Sequence, residues 1–401
     1  MNNLFSEKMK AVKPSAIDEL LALGADKSII SFGGGYPDAS LFPKNKLKKI
    51  FSEIINDPSG ASMQYAPSDG LPKLREQIAN LMTLDGTPCD AKDVLILQGS
   101  QQGFDLVSKM FIDPGDVLIT EDPTFLGALI AFNLNQPNYK AVPIDNDGMR
   151  TDLLKKVLEE NPKTKMIYTI PDFQNPTGVT LSLTRRKQLI NLANLHDVVI
   201  LEDTPYRHIR FEGESLPTLK SMDTQNRVIH LGSFSKILVP GLRIGWAVAE
   251  ANLIKKMGLL KVAADTQTST LNMAATSMFL ERYDLNAHIN KLKEAYLTKK
   301  ELMLEQIKKH FPENIKITNP SGGLFTWVTF DEKFDTTKFM KEIALPEAKV
   351  AYVPGGSFFP VKEQKNHARI NFSSQSEDLI QKGITSLGQS LRNYEKRNKV
   401  R

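Results

Sequence analysis

The sequence predicts an α/β fold, with a large domain built on a mostly parallel, doubly wound sheet and a smaller α+β domain. Two observations carry this prediction. Short β-branched apolar runs alternate with longer amphipathic segments through the middle of the chain, as expected for strands joined by crossover helices. After about residue 270 long helical stretches follow one another, and short strands return only later. We therefore expect an N-terminal segment (1–45), a large domain (46–285) and a small C-terminal domain (286–401).

The strand candidates are short, continuous apolar runs, which suit burial on both faces of a sheet. They are VLIL (94–97), DVLIT (116–120), YKAVPI (139–144), KMIYTI (165–170), VVILED (198–203), RVIHLGS (227–233) and RIGWAVA (243–249). Helical patterns lie between several of them: GFDLVSKMF, TFLGALIAFNL, MRTDLLKKVLEEN and TRRKQLINLANLH. Further helices are predicted in SAIDELLAL (15–23), over 291–310, in TTKFMKEIAL and from about 376, and the late strands fall in GGLFTWVTF, VAYVPG and ARINFS.

Composition places the chain among ordinary globular proteins. With 401 residues, of which 41% are hydrophobic and 24% charged, it can bury a core without disulfides or a structural metal. Most of the formal net charge of +5 lies in the last ten residues, so the body is nearly neutral and we expect no nucleic-acid partner. In this tail five basic residues oppose Glu395: Arg392, Lys396, Arg397, Lys399 and Arg401.

Three further features bound the location and the chemistry. The single cysteine, Cys89, cannot form an internal disulfide, and the first residues contain no apolar run typical of a signal peptide. No stretch approaches the roughly 18 apolar residues of a membrane span. The six histidines are scattered, without the spacing of a zinc site. The sequence thus predicts a cytoplasmic protein with no membrane partner and no metal.

Polar residues follow four of the predicted strands, where an open α/β sheet binds its ligands. VLIL is followed by Ser100 and Gln101 at the start of a helix, whose free N–H groups suit an anion. The next positions are Asn175 after KMIYTI, Asp203 at the end of VVILED with Tyr206 three residues later, and Ser233, Ser235, Lys236 and Arg243 after RVIHLGS.

One ligand would account for all of these residues. A lysine whose pKa is lowered by burial reacts with a carbonyl group. Hydroxyl groups, an arginine and a helix N-terminus hold a phosphate dianion. A buried aspartate needs a cationic partner, which a protonated ring nitrogen supplies. This combination is the one expected for pyridoxal phosphate.

The motifs resemble those of a known family. N-P-T-G (175–178), D-x-x-Y (203–206) and S-x-S-K (233–236), with Arg243 seven residues after the lysine, are similar to the pattern of fold type I pyridoxal-phosphate enzymes in the class I/II aminotransferase family. Tyr65-x4-Gly70-x3-Leu74-Arg75 matches the same family, and the resemblance spans about 28–390. The segments ISFGGGYPDASLFP, LILQGSQQGFDL and GSFSKILVPGLRIGW resemble the aminoadipate, kynurenine and aromatic aminotransferase branch.

The resemblance implies a role for each matching residue. Lys236 would bind the cofactor covalently and move the proton at the substrate α-carbon, and Asp203 would keep the pyridine nitrogen protonated. Tyr206 and Asn175 would hydrogen bond the ring's 3-oxygen, and Phe125 would stack on the ring at a position where many relatives carry tyrosine. The phosphate ligands would be Ser100, Gln101, Gln102, Ser233, Ser235 and Arg243.

Substrate binding and assembly also follow from the resemblance. Arg369 would clamp the substrate α-carboxylate bidentately, which lysine does poorly. Gly34, Gly35 and Asn175 would lie near the substrate, where the backbone must approach closely. Tyr65 would reach the phosphate of the neighbouring subunit, so the expected active unit is a homodimer with shared active sites, in which the segment 1–45 packs with the small domain and the partner.

The implied reaction is transamination between an L-amino acid and a 2-oxo acid, most simply 2-oxoglutarate. An acidic donor such as aminoadipate would need a cation near the predicted helix 15–23, which instead carries Asp18 and Glu19, with Lys10 and Lys13 upstream. We therefore expect broad use of aromatic, branched and other large apolar donors. Two alternatives stay open: a β-lyase on the same scaffold, and a cofactor-sensing regulator. The regulator is disfavoured because only about 30 residues precede ISFGGG, too few for a DNA-binding domain.

Overall fold

The fold is taken from a computed structural model that describes residues 4–6, 8, 9, 26 and 28–399, with side chains up to 397. The helix predicted for 15–23 lies outside the described residues. Within the part that is described, no helix combines the length and the apolar composition needed to cross a membrane.

Strands and helices alternate along the chain as the sequence predicts. The strands are β1 (Ile30–Ser31), β2 (Val94–Leu97), β3 (Val117–Asp122), β4 (Asn138–Asp145), β5 (Gly148–Met149), β6 (Thr164–Thr169), β7 (Val199–Asp203), β8 (Val228–Ser233), β9 (Gly245–Val248), β10 (Lys316–Ile317), β11 (Phe325–Thr329), β12 (Val350–Ala351), β13 (Val353–Pro354) and β14 (His367–Asn371). The α-helices are α1 (Lys44–Asn56), α2 (Pro72–Leu84), α3 (Ser100–Phe111), α4 (Leu126–Asn133), α5 (Thr151–Glu160), α6 (Leu183–His196), α7 (Ala251–Asp265), α8 (Thr270–Arg282), α9 (Leu285–His310), α10 (Thr336–Phe339) and α11 (Glu377–Lys399).

An eight-stranded sheet forms the centre of the molecule, in the order β2-β9-β8-β7-β6-β3-β4-β5. The neighbours from β8 through β7, β6 and β3 to β4 are parallel, whereas β9 and β5 run antiparallel to their neighbours. Side chains alternate between the two faces of the sheet, so that in β6 Met166 and Tyr168 pack into one apolar cluster and Ile167 into another. Helices cover both faces because both faces are apolar.

Local capping fixes where several helices begin. The side chain of Ser182 accepts a hydrogen bond at the start of α6, and Asp284 does the same for α9. The Asp284 cap fixes the start of this long helix at Leu285, ahead of the charged run at 291–310 that the sequence marks as helical. A wider, π-helical segment, Met340–Ala348, continues α10 and contains Pro346.

A second, four-stranded sheet lies in the C-terminal part, in the order β10-β11-β14-β13. All its pairs are antiparallel, which the short strands predicted in GGLFTWVTF, VAYVPG and ARINFS had left open. Strand β1 pairs in parallel with β12, through Ile30 with Val350 and Ser31 with Ala351. This pairing carries the glycine run that follows β1 toward the carboxyl edge of the main sheet.

Candidate active site

One cavity lies at the carboxyl ends of β2, β6, β7 and β8, the edge at which the sequence places its polar residues. All but two of the predicted site residues line it, although they come from segments far apart in the chain. Those that line it are Gly34, Gly35, Ser100, Gln101, Phe125, Asn175, Asp203, Tyr206, Ser233, Ser235, Lys236, Arg243 and Arg369.

Lys236 follows β8, and its Nζ donates a hydrogen bond to the carbonyl oxygen of Gly35 at 2.8 Å. Burial, together with the nearby guanidinium groups of Arg369 and Arg243, lowers the pKa of Lys236 to about 8 against the opposing effect of Asp203. Near pH 8 about half of this amine is therefore uncharged. The uncharged amine is the form that attacks a carbonyl carbon.

Asp203 closes β7 and is almost completely buried. Its Oδ2 accepts a hydrogen bond from the hydroxyl of Tyr168 at 3.1 Å. Its Oδ1 is buried and has no hydrogen-bond partner among the described residues. Burial raises the pKa of Asp203 to about 7, with Glu121 adding to the increase. A cationic group in the cavity would satisfy the free oxygen and reverse this shift.

Three predicted side chains form a chain of hydrogen bonds across the cavity. Arg369 Nη1 donates to Oδ1 of Asn175 at 2.9 Å, and Nδ2 of Asn175 donates to the hydroxyl of Tyr206 at 3.2 Å. Arg369 Nη2 donates to the carbonyl oxygen of Gly33 at 2.7 Å, and its buried Nε has no partner among the described residues. Burial raises the pKa of Tyr206, so the phenol keeps its proton at neutral pH.

Arg369 is a buried cation held between aromatic rings. Its guanidinium carbon lies 4.2 Å from the ring centre of Phe325 and 5.2 Å from that of Phe358. Burial lowers the pKa of Arg369 to about 10, which still leaves the group charged at neutral pH. It meets no carboxylate in ion-pair contact among the described residues, so it is available to an incoming anion.

The loop that carries Asn175 is fixed by its neighbour Gln174. The Gln174 Nε2 donates to Glu121 at 3.1 Å and to the carbonyl oxygen of Pro123 at 2.8 Å. Its Oε1 accepts from both the backbone N–H and the hydroxyl of Thr177, at 3.0 and 2.7 Å. These bonds hold the N-P-T-G turn rigidly, so Asn175 does not have to be ordered when a ligand binds.

A second corner of the cavity gathers anion-binding groups. Ser100 and Gln101 lie in the first turn of α3, where backbone N–H groups lack intrahelical acceptors. Gly99 precedes them with φ +71°, and a Cβ at this position would collide with the guanidinium of Arg243. The glycine therefore lets Arg243 lie directly against the helix N-terminus. Ser233 and Ser235 complete this corner, and the Ser235 N–H donates to the Ser233 hydroxyl at 3.0 Å.

Phe125 lines the cavity and packs against other aromatic side chains. Its ring centre lies 6.2 Å from that of Phe104, in an edge-on arrangement. Phe104 in turn contacts Tyr168 edge-on, with ring centres 5.6 Å apart. These contacts hold the Phe125 ring at the wall of the cavity, where it offers apolar surface to a planar ring.

Two predicted ligands lie elsewhere. The side chain of Gln102 does not line the cavity, because its Oε1 accepts from Lys261 Nζ and from the Gln98 N–H, both at 2.9 Å, while its Nε2 donates to Asp265. Its own N–H donates to the carbonyl oxygen of Gly99, so neither the side chain nor the N–H of Gln102 is directed to a ligand in the cavity. Tyr65 is 81% exposed and lies outside the cavity of its own subunit.

Several lining residues were not predicted from the sequence. They are mostly apolar, and no motif distinguishes them from core residues: Gly33, Tyr36, Phe104, Leu126, Ile170, Pro205, Val353 and Phe358. Tyr168, which supports Asp203 from within the sheet, was also missed. Its position in a strand next to VVILED was a usable signal, but only the register of β6 against β7 shows that the two side chains meet.

These residues fit a pyridoxal phosphate group. The unpaired Oδ1 of Asp203 would accept from a protonated ring nitrogen, and the corner around Arg243 would take the phosphate. The amine of Lys236 has the lowered pKa that a carbonyl-reactive lysine needs. Within residues 28–397, no three His, Cys, Asp or Glu side chains come together in a way that could hold a metal ion.

Comparisons with known proteins agree with this geometry. The family described as "Aminotransferase class I and II" matches residues 33–387. The aromatic-amino-acid aminotransferase 1 of Thermococcus litoralis is 39% identical over 97% of this chain and 94% of its own length. The 2-aminoadipate transaminase of Thermus thermophilus is 32% identical, over 97% of this chain and 96% of its own.

A solved structure extends the agreement to the fold. The Pyrococcus horikoshii kynurenine aminotransferase, crystallised with PMP, is 37% identical, covers 98% of both chains and superimposes with a TM-score of 0.93. The predicted α/β fold, the predicted resemblance to this branch and the predicted cofactor are thereby confirmed. The chain belongs to the class I and II aminotransferases, the fold type I enzymes that work with pyridoxal phosphate.

Proposed function

We propose that this aminotransferase takes its amino group from aromatic and other large apolar L-amino acids and passes it to a 2-oxo acid, with 2-oxoglutarate as the first candidate. The apolar lining beside Arg369 carries this proposal: Tyr36, Leu126, Val353 and Phe358. The cations among the described lining residues are Lys236, Arg243 and Arg369, and each has another task. No lining cation in this part of the chain is thus left for an acidic donor side chain.

The donors of the three relatives differ, which supports broad specificity. They are named for aromatic amino acids, 2-aminoadipate and kynurenine. What these compounds share is an α-amino acid group, which the cavity would read through Arg369. Its Nη1 and Nη2 donate to two neutral acceptors within 2.9 Å, the side-chain oxygen of Asn175 and the carbonyl oxygen of Gly33. A substrate carboxylate would offer an anionic acceptor instead, and hydrogen bonds to an anion are stronger. The same contact would serve every donor and every 2-oxo acid.

The catalytic roles are assigned to residues that meet the bound cofactor. Pyridoxal phosphate, when bound, supplies the carbonyl group that takes up the amino group and a ring that withdraws electrons from the α-carbon. Asp203 would hold a proton on the ring nitrogen through Oδ1. Lys236 would bind the cofactor. Its Nζ would then take the proton from the substrate α-carbon and deliver it to the cofactor carbon that carries the transferred nitrogen.

The other lining residues would orient the reactants. Tyr206 and Asn175 would donate to the ring's 3-oxygen, and they already share a 3.2 Å hydrogen bond. Phe125 would stack on the ring, and the backbone at Gly34 and Gly35 would approach the substrate. The phosphate would rest on Arg243 and on the hydroxyl and N–H groups of Ser100, Gln101, Ser233 and Ser235.

We further propose a homodimer in which Tyr65 reaches the partner's phosphate corner. Tyr65 and Met63 are 81% and 56% exposed, which suits an interface between subunits. We propose the cytoplasm as the compartment, where the unpaired thiol of Cys89 would remain reduced. The proposed division into 1–45, 46–285 and 286–401 is supported by the two separate sheets and by the pairing of β1 with β12.

A panel of amino acids added to the purified holoenzyme tests the function directly. Absorbance of the cofactor reports its conversion from the aldehyde to the amine form for each donor. We expect conversion with phenylalanine, tyrosine, kynurenine and leucine, and slower conversion with 2-aminoadipate. An enzyme that converts only 2-aminoadipate would contradict the proposed specificity. Release of pyruvate and ammonia from cystathionine, without amino transfer, would assign the site to a β-lyase instead.

A further inference from the structure

We propose that Tyr168 is a positioning residue that keeps the cofactor's ring nitrogen protonated by donating a hydrogen bond from its hydroxyl group to Asp203. The inference rests on the proposed role of Asp203 and extends it to a residue that does not touch the cofactor. Tyr168 is fully buried in β6, and its hydroxyl donates to Oδ2 of Asp203 at 3.1 Å.

The sheet register brings the two side chains together. Tyr168 of β6 lies opposite Leu201 of β7 in a parallel pair, and Asp203 follows two residues later on the same face. The bond uses Oδ2 and leaves Oδ1 free of partners within the described residues. The carboxylate is therefore oriented, with one oxygen held inside the protein and the other left for the ring nitrogen.

The tyrosine ring is locked in this position by two phenylalanines. Phe104 and Phe132 contact it edge-on, with ring centres 5.6 and 5.3 Å away. All three side chains are buried to within 1% of their surface. Such packing leaves the hydroxyl little freedom to turn away from Asp203.

The polarity of the hydrogen bond sets the direction of the effect. Burial, together with Asp203 and Glu121, raises the pKa of Tyr168 far above its ordinary value, so the phenol remains a donor. A donated hydrogen bond stabilises the carboxylate form of Asp203 over its acid form. A proton shared between Asp203 and the ring nitrogen is therefore biased toward the nitrogen, where it strengthens electron withdrawal from the substrate.

The test is the protonation state of the cofactor in the Tyr168→Phe variant, which keeps the packing ring and removes the donor. The holoenzyme is reconstituted with pyridoxal phosphate labelled with ¹⁵N in the ring, and the ¹⁵N resonance is recorded across pH. We expect a pyridinium resonance in the wild type and a downfield shift toward neutral pyridine in the variant. We also expect kcat to fall about tenfold, while KM changes little.

Three further variants make the result decisive. Tyr139→Phe removes a hydroxyl bonded to Asn133 instead and should leave the resonance unchanged. Tyr168→fluorotyrosine, a stronger donor of nearly the same shape, should preserve the pyridinium signal even if Tyr168→Phe folds poorly. Asp203→Asn should lose that signal. An unchanged resonance in Tyr168→Phe, or an equal shift in Tyr139→Phe, would overturn the inference, whereas an unchanged resonance in Asp203→Asn would overturn the proposed role of Asp203 itself.

Discussion

Two buried aspartates lie near the carboxyl ends of neighbouring strands of the main sheet, and their surroundings differ. Asp172, after β6, accepts from Arg186 at 2.7 Å and from Arg207 at 3.2 Å, and Arg210 lies 3.5 Å away. Burial alone would raise the pKa of Asp172, yet these three guanidinium groups hold it below its ordinary value. Asp203, the last residue of β7, accepts one hydrogen bond from the hydroxyl of Tyr168, and burial raises its pKa to about 7.

The difference distinguishes Asp172, whose charge is paired within the protein, from Asp203, whose charge would be paired by a ligand. The charge of Asp172 is already balanced within the protein, so nothing further is needed there. Asp203 and Arg369 are both buried, and neither meets an opposite charge in ion-pair contact among the described residues. Unbalanced buried charge is costly. Asp203 and Arg369 lie where a cationic ring nitrogen and an anionic carboxylate would bind, and perturbed buried charges of this kind are often found at functional sites.

The largest expected loss of activity follows from a substitution inside the cavity, at Lys236. Lys236→Ala removes both the covalent attachment and the group that moves the α-proton, so we expect kcat to fall by at least about 10⁴-fold. Mass spectrometry after borohydride reduction should find no cofactor bound to the variant. Lys300→Met is the matched control, because Lys300 is also buried but pairs with Glu212. Substantial turnover by Lys236→Ala would contradict its assigned role.

Exchanging each aspartate for asparagine should separate stability from activity. Asp172→Asn removes the carboxylate partner of Arg186 and Arg210 and leaves Arg207 with Asp85 alone. We therefore expect the free energy of unfolding to fall by about 3–5 kcal/mol, with activity per folded molecule retained. Asp203→Asn should not lower the stability of the cofactor-free protein, and it should reduce kcat by about 10²–10³-fold. Denaturant titration and steady-state kinetics on both variants provide the measurement. Equal losses of stability in the two variants would contradict the conclusion that only the charge of Asp172 is paired within the protein.

The two aspartates should also give stability opposite dependences on pH. In the cofactor-free protein, the stability contributed by Asp203 is full below its ordinary pKa of 3.8 and is lost as the pH rises through about 7. The contribution of Asp172 is present above its ordinary pKa of 3.8 and is lost as the pH falls through its lower folded pKa.

Chemical denaturation of the cofactor-free wild type and Asp203→Asn between about pH 5 and pH 8 measures this difference. The free energy of unfolding of the wild type should fall relative to the variant by roughly 2–3 kcal/mol over that range. Adding pyridoxal phosphate should abolish the trend, because the ring nitrogen then balances the charge. A difference that stays constant with pH would mean that Asp203 is ionised throughout.

The sequence predicts well those features that depend on residues close together in the chain. All seven strand candidates of the main sheet occur, and Asp203 and Lys236 lie at strand ends because the motifs that contain them follow apolar runs directly. The direction of β9 was not predictable, since an apolar run of four or five residues reads the same parallel or antiparallel. The two-residue strand β5 was missed for lack of any pattern.

What the sequence misses depends on contacts between distant segments. Gln102 follows Ser100 and Gln101 directly, but the rotation along α3 turns its side chain toward Lys261, which comes from a helix 159 residues later. Tyr168 supports Asp203 only because β6 and β7 pair in one register, and a shift of one residue would place it on the opposite face. Sequence motifs therefore identify the groups that touch a ligand better than those that hold them in place.

The smallest expected effect on catalysis follows from a change at Arg369, the buried cation without a carboxylate partner among the described residues. Arg369→Lys keeps a positive charge but loses the planar, two-pronged guanidinium and its stacking on Phe325, so we expect KM to rise by about 10–50-fold. The increase should be similar for aromatic donors, branched donors and 2-oxo acids, because all of them present the same carboxylate. Arg185→Lys is the control, since Arg185 already pairs with Asp145 away from the cavity and should leave KM unchanged. If the increase were confined to one class of donor, Arg369 would be recognising the donor side chain rather than the carboxylate.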